Sequence, residues 1–157
     1  MLISVQTEDF DLSTEIAKMR AHNPAIGAVV SFVGLVRDLN EGLQVRAMEL
    51  EHYPGMTEKS LEMIAMQAKQ RWNLIDCLII HRVGALLALD QIVLVAAASA
   101  HRGEAFAACE FMMDYLKTEA PFWKKETTPE GQRWVDARVT DESAMRKWRN
   151  SEEATLS

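Results

Sequence analysis

No apolar run in this 157-residue chain is long enough to span a bilayer; the longest, such as "IVLVAAA" at 92–98, stop well short of the roughly 20 residues required. The N-terminus "MLISVQTEDF" lacks a basic region ahead of an apolar stretch, so no secretory leader is expected. Cysteine is scarce: Cys77 and Cys109 lie apart in apolar segments, form no CxxC pair and read as inert small hydrophobes. These absences predict a reduced, cytoplasmic protein without a membrane anchor. There is no GxxxxGK[ST] phosphate loop, GxGxxG, HExxH or GxSxG. The four histidines, His22, His52, His81 and His101, fall in four separate segments without ligand spacing, so no metal site and no resident cofactor are expected. A basic excess is missing too. The net charge of −6 argues against a general nucleic-acid or anionic-membrane binder.

What is present is ordinary globular composition, 48% hydrophobic and 25% charged, in one domain-sized chain without repeats or low-complexity linkers. Strands are expected at 2–6, 26–37, 44–53, 74–83 and 91–98. In the third of these Val45 and Ala47 are taken as the inward set. "DLNEGL" after Arg37 reads as loop, and "VGALLALD" as a connector. Helices are expected from Ser13, with Leu12, Ile16 and Met19 on one face, and from Thr57 after the Pro54–Gly55 stop, with Leu61, Ile64, Ala65 and Ala68 inward. A third runs from Gly103 to Thr118 with Phe106, Cys109, Met113 and Leu116 inward, and Pro121 ends it. "FWKKETTPEGQRWV" reads as a hairpin turning at Pro129–Gly131, a short helix follows near 141–149, and the polar end is expected to be mobile. Mixed without a regular βαβ beat, these elements give an α+β class. One domain is expected over 1–148, with a tail at 149–157.

Within this acidic chain the cations are concentrated. "LKTEAPFWKKE" at 116–126 holds three lysines beside aromatic rings. Arg37 closes an apolar strand. His101 and Arg102 stand just before a helix, where free backbone N–H groups and the dipole form an anion seat. If the hairpin folds back along the helix, Lys117, Lys124 and Lys125 meet these groups in one pocket. Each cation also has a plain reading: Lys117 complements a helix C-terminus, His101–Arg102 is a solvated loop, and one of two successive strand lysines faces solvent. Phe122, Trp123 and Trp134 read as packing across the hairpin. The residues alone therefore lead to an α+β domain with an anion pocket.

"VSFVGLVR", "ELEHYPGM", "HRVGAL", "ASAHRGEAF", "DYLKTEAPFWKKE" and "RWV" occur in the order and spacing of the molybdopterin synthase catalytic (large) subunit family, which the chain resembles over 1–140. The resemblance implies an α/β hammerhead-type fold with an additional antiparallel sheet. It implies conversion of cyclic pyranopterin monophosphate to molybdopterin, with sulfur arriving as the C-terminal thiocarboxylate of a small ubiquitin-like partner. It further implies a central homodimer within a heterotetramer. By position in these motifs it assigns substrate contacts to Leu35, Val36, Arg37, His101, Arg102, Lys117, Lys124, Lys125 and Glu126, with Lys117 and Lys124 catalytic. Leu89 stands where the family usually has a turn glycine, and the loop after Arg37 is short. A module that holds a ubiquitin-like tail or a pterin phosphate without turnover is the competing reading. A single-stranded nucleic-acid binder is disfavoured by the charge.

Overall fold

A computed structural model describes residues 1–37, 39–40, 43–44, 47–128, 131–135, 146 and 148–149. The central sheet has the order β1-β6-β8-β2. It consists of β1 (Leu2–Gln6), β2 (Ala28–Leu35), β6 (Leu74–Arg82) and β8 (Gln91–Ser99). β1 runs parallel to β6, while β8 is antiparallel to both β6 and β2. Both faces of this sheet are covered, which is why β6 and β8 read as continuous apolar runs rather than alternating ones. Cys77, Ile79, Val93, Val95 and Ala97 pack against α2 (Met56–Arg71) and α3 (Arg102–Glu119). Leu78, Ile80, Leu94, Ala96 and Ala98 pack on the opposite face, where Ile16 and Met19 of α1 (Leu12–Arg20) join them.

A second, fully antiparallel sheet, ordered β10-β9-β5-β7, stands against the end of the first. It comprises β5 (Ala47–His52), β7 (Gly84–Leu87), β9 (Phe122–Thr128) and β10 (Gly131–Val135). Met48, Leu50, Val83 and Leu86 form its small core with Val36, and Phe122 packs at its border. The domain is α+β, with the additional antiparallel sheet that the family resemblance implied.

The local chemistry explains the helix starts. The Asp11 carboxylate accepts from Thr14 N–H at 2.8 Å and caps α1. Before α2, Gly55 adopts φ +85 and its N–H donates to Glu58 Oε2 at 2.7 Å, while the Thr57 hydroxyl donates to the Tyr53 carbonyl. Trp148, from the C-terminal region, donates its indole N–H to Asp114 Oδ2 at 2.6 Å and meets Trp72 and Phe111 edge-on.

Four expectations are corrected. "VGALLALD" is not a plain connector, because Gly84–Leu87 pairs with β5 as a strand. On β5 the inward residues are Met48 and Leu50, the opposite phase from Ala47, which is only half-buried; Val45 lies outside the described residues. "DLNEGL" includes a two-residue ladder of β3 (Leu39–Asn40) against β4 (Leu43–Gln44). Phe106 is 60% exposed: α3 buries the wide face defined by Ala105, Ala108, Cys109 and Met112, and Phe106 lies off that face on the outward line of Glu110 and Lys117. Of the expected helix at 141–149, Arg146, Trp148 and Arg149 are described and helical; the tail from 150 lies outside the described residues.

Candidate functional site

The topology decides which of the cations can meet. β8 runs from Gln91 to Ser99 and α3 returns over it, as the contacts of Glu104 with Ser99 and of Cys109 Sγ with the Val95 carbonyl show. The N-terminus of α3 therefore lies at the Ser99 end of the sheet, and its C-terminus at the Gln91 end. Arg37 belongs to the Gln91 end as well, because Leu35 pairs with Gln91. Val36 is anchored there: its N–H donates to the Asp90 carbonyl at 2.9 Å and its own carbonyl accepts from Leu89 N–H at 2.8 Å. Val36 is buried, while Leu35 and Arg37 are exposed on either side of it. Leu89 closes this turn with φ +73, and Asp90 Oδ2 accepts from Leu87 N–H.

At the same end Lys117, exposed in the last turn of α3, precedes the Pro121 corner and β9. Side chains alternate along a strand, so Lys124 shares a face with Phe122, and Lys125 shares the opposite face with Trp123. Both lysines are half-buried. Lys124 stands opposite Leu50 and Lys125 opposite Glu49 on β5, and Glu126, placed by its backbone, stands opposite Met48.

The centre of this end is a residue that sequence reasoning assigned no role. His81 is the penultimate residue of β6, on the α2/α3 face of the sheet, and is 5% exposed. Its Nδ1 lies 2.8 Å from the Arg82 carbonyl, an acceptor, so Nδ1 carries the proton. The ring stacks on Phe122 with centroids 3.7 Å apart and planes 16° apart. Burial pushes its pKa down to about 3; the bond to the Arg82 carbonyl opposes the fall, and the charges of Lys117, Lys124 and His52 add to it. His81 is thus a neutral imidazole at neutral pH. The ammonium groups of Lys117 and Lys124, carried by different elements, both lie close enough to act on it. His52, opposite Phe122 on β5, has a buried Nδ1 without a hydrogen-bond partner among the described residues. Arg82 is structural: its guanidinium donates to the carbonyls of Thr7 and Gln91 and ties β6 to β8.

His101 and Arg102 are not part of this group. They line an open cleft of about 500 Å³ with Gly27, Ala28, Ala100 and Gly103 at the other end of the sheet. Fifteen residues of helix separate Arg102 from Lys117, about 22 Å at 1.5 Å per residue. The expectation of one pocket within one chain is corrected on this point. Gly27 lines this cleft, and a Cβ there would come within 2.2 Å of the Ala100 carbonyl oxygen.

Fold and site define an α+β domain with cations gathered at both ends of one sheet. The family model described as "MoaE protein" matches residues 5–119. The chain belongs to the MoaE family. It is 69% identical over 146 residues to the molybdopterin synthase catalytic subunit of Ralstonia nicotianae, covering 93% of this chain and 83% of that one. Among solved structures, the molybdopterin biosynthesis MoaE protein of Burkholderia ambifaria matches at a TM-score of 0.81 and 66% identity, over 94% of this chain and 97% of that one. Molybdopterin synthase from Staphylococcus aureus matches at 0.78 and 32% identity, over 85% and 96%.

Proposed function

We propose that this chain is the catalytic subunit of a molybdopterin synthase, acting as a cytoplasmic sulfurtransferase. The observation that carries the reading is the convergence of Lys117 and Lys124, from α3 and β9, on the uncharged His81–Phe122 stack. The thiocarboxylate sulfur of a small ubiquitin-like partner attacks a side-chain carbon of cyclic pyranopterin monophosphate, forming a C–S bond as a C–O bond of that carbon breaks and its electron pair leaves on oxygen. Water then adds to the carbonyl carbon of the resulting thioester, the acyl C–S bond breaks, and the carrier leaves as a carboxylate with the sulfur kept on the pterin. Both steps build negative charge on oxygen. An ammonium group fixed in a partly desolvated pocket stabilises that charge by about 3–4 kcal/mol per donor. Arg37, just beyond the anchored Val36 that follows the end of β2, suits the substrate phosphate. Lys125 and Glu126 extend the rim along β9.

The 22 Å span of α3 prevents His101 and Arg102 from touching the same pterin as Lys117 of their own chain. In a two-fold homodimer the α3 N-terminus of one copy completes the site of the other. Reconstitution with a thiocarboxylated small subunit and the pterin precursor tests the activity by formation of the dithiolene product. Mixing Lys117→Ala and Arg102→Ala chains, each inactive alone, tests the shared site: hybrid dimers regain one intact site of two, about a quarter of wild-type activity at random exchange. Absence of product with a competent partner would favour a module that binds a tail or a phosphate without turnover.

A further inference from the structure

We propose that His81 is a positioning residue for sulfur transfer: its ring, oriented by the Arg82 carbonyl and stacked on Phe122, fixes where β9 leaves the Pro121 corner and so sets Lys124 against Lys117. The inference rests on the synthase reading and adds to it a residue that touches neither substrate nor reacting atoms.

Three observations bear on it. The stack is the ring-on-ring contact at the junction of the two sheets, since His81 belongs to β6 of the central sheet and Phe122 to β9 of the second. Phe122 is two residues from Lys124 on one strand face, so a shift of that ring carries the lysine with it. The chain between Lys117 and Phe122 is short and turns at a proline, so the packing of Phe122 acts together with the β5–β9 ladder in setting the distance between the two lysines.

The chemistry of the ring suits the task. Its Nδ1–H donates to the Arg82 carbonyl at 2.8 Å, which fixes the plane that Phe122 meets. A charged group at this place would face Lys117 from α3, Lys124 from β9 and His52 from β5, so the stacking partner must be neutral. Reaction rates respond steeply to such placement, since a misplacement of about 1 Å can cost roughly 100-fold.

The test is single-turnover kinetics in the complex with the thiocarboxylated small subunit, using wild type as the control for the activity itself. Wild type without product would overturn the synthase reading; an active wild type isolates the role of His81. His81→Ala and His81→Asn both remove the stack, and Asn keeps a donor for the Arg82 carbonyl, so one serves if the other fails to fold. Both are expected to slow the chemical step by about 10–100-fold with the KM for precursor changed less than about threefold. His81→Phe, which restores a neutral ring against Phe122 without the donor to the Arg82 carbonyl, should recover part of the rate. The loss must also be coupled to the lysine: His81→Ala with Lys124→Ala should be no slower than Lys124→Ala alone. Fully additive losses, or a His81→Phe variant as slow as His81→Ala, would overturn the assignment.

Discussion

Replacing His81 by Phe should change the pH dependence of folding in a direction fixed by the structure. The folded protein holds the imidazole at about 3, against an ordinary value of 6.5. As pH falls through 6.5 the unfolded chain takes up a proton that the folded chain refuses, so acid favours unfolding. The stability contributed by the neutral ring is therefore complete above pH 6.5 and declines steadily toward pH 3. Between pH 7 and pH 5 this linkage amounts to about 2 kcal/mol. His81→Phe cannot take up the proton in either state and lacks this loss. Asp9 and Asp11, whose carboxylates are lowered mainly by hydrogen bonds from Gln91 and Phe10 and from Thr14, also lose stabilisation in acid. They do so equally in both proteins and cancel in the comparison. Urea denaturation of wild type and variant at fixed protein concentration, at pH 7, 6 and 5, reads the difference. Whatever the offset at pH 7, the gap should move by about 2 kcal/mol in favour of the variant by pH 5. Parallel curves would mean that the ring titrates freely in the folded state, and the buried stack could not then stand as described.

Lys117→Ala should lower single-turnover sulfur transfer by roughly 10²–10³-fold with partner and precursor still bound, whereas Lys125→Ala, on the other face of β9, should cost at most about threefold; equal rates would refute the division of roles. Leu89→Gly should raise stability by about 0.5–1 kcal/mol in urea denaturation, because Leu89 holds φ +73 with its side chain 77% exposed, and no gain would show the turn to be unstrained. Gly27→Ala should destabilise by about 1–3 kcal/mol and weaken precursor binding through the displaced Ala100–Arg102 segment, since its Cβ would sit 2.2 Å from a backbone oxygen; an unaltered protein would remove Gly27 from the cleft wall.

Much of the fold is legible in the sequence because its elements are locally strong. β6 and β8 are buried on both faces and read as apolar runs, α2 carries an uninterrupted stripe from Leu61 to Ala68, and Pro121 marks a helix end without ambiguity. In the second sheet the hairpin of β9 and β10 and the existence of β5 are legible, while β7 and the phase of β5 are not. β7 has four residues and draws its meaning from pairing with β5, more than thirty residues earlier. In the sequence just ahead of β5, Arg46 interrupts the even-numbered apolar pattern of Met48 and Leu50, so the pattern invites the opposite phase. For the site, the proximity of Lys117 and Lys124 is legible because a proline turn joins them. The separation of Arg102 from Lys117 is legible in principle too, since the length of the helix alone excludes a common pocket. His81 is a different case. It looks like a polar residue ending a strand, and its partners come from α3, β9 and β5, so only the assembled fold shows it in the middle of the lysines.

That a histidine rather than a carboxylate occupies this place follows from what the lysines are for. Lys117, exposed, and half-buried Lys124 repel one another, and a buried aspartate or glutamate would be the ordinary way to relieve this. Such a group would also bind the Lys117 ammonium and hold it away from an incoming anion. A neutral imidazole with its proton committed to the Arg82 carbonyl, covered by the face of Phe122, offers Lys117 no counter-charge. Among the described residues Lys117 forms no ion pair, although carboxylates outnumber the lysines and arginines of the chain by six. The charge is thus left for the phosphate, thiocarboxylate or oxyanion of the reaction, and the electrostatic cost of keeping it there falls on a fold whose large apolar core is elsewhere.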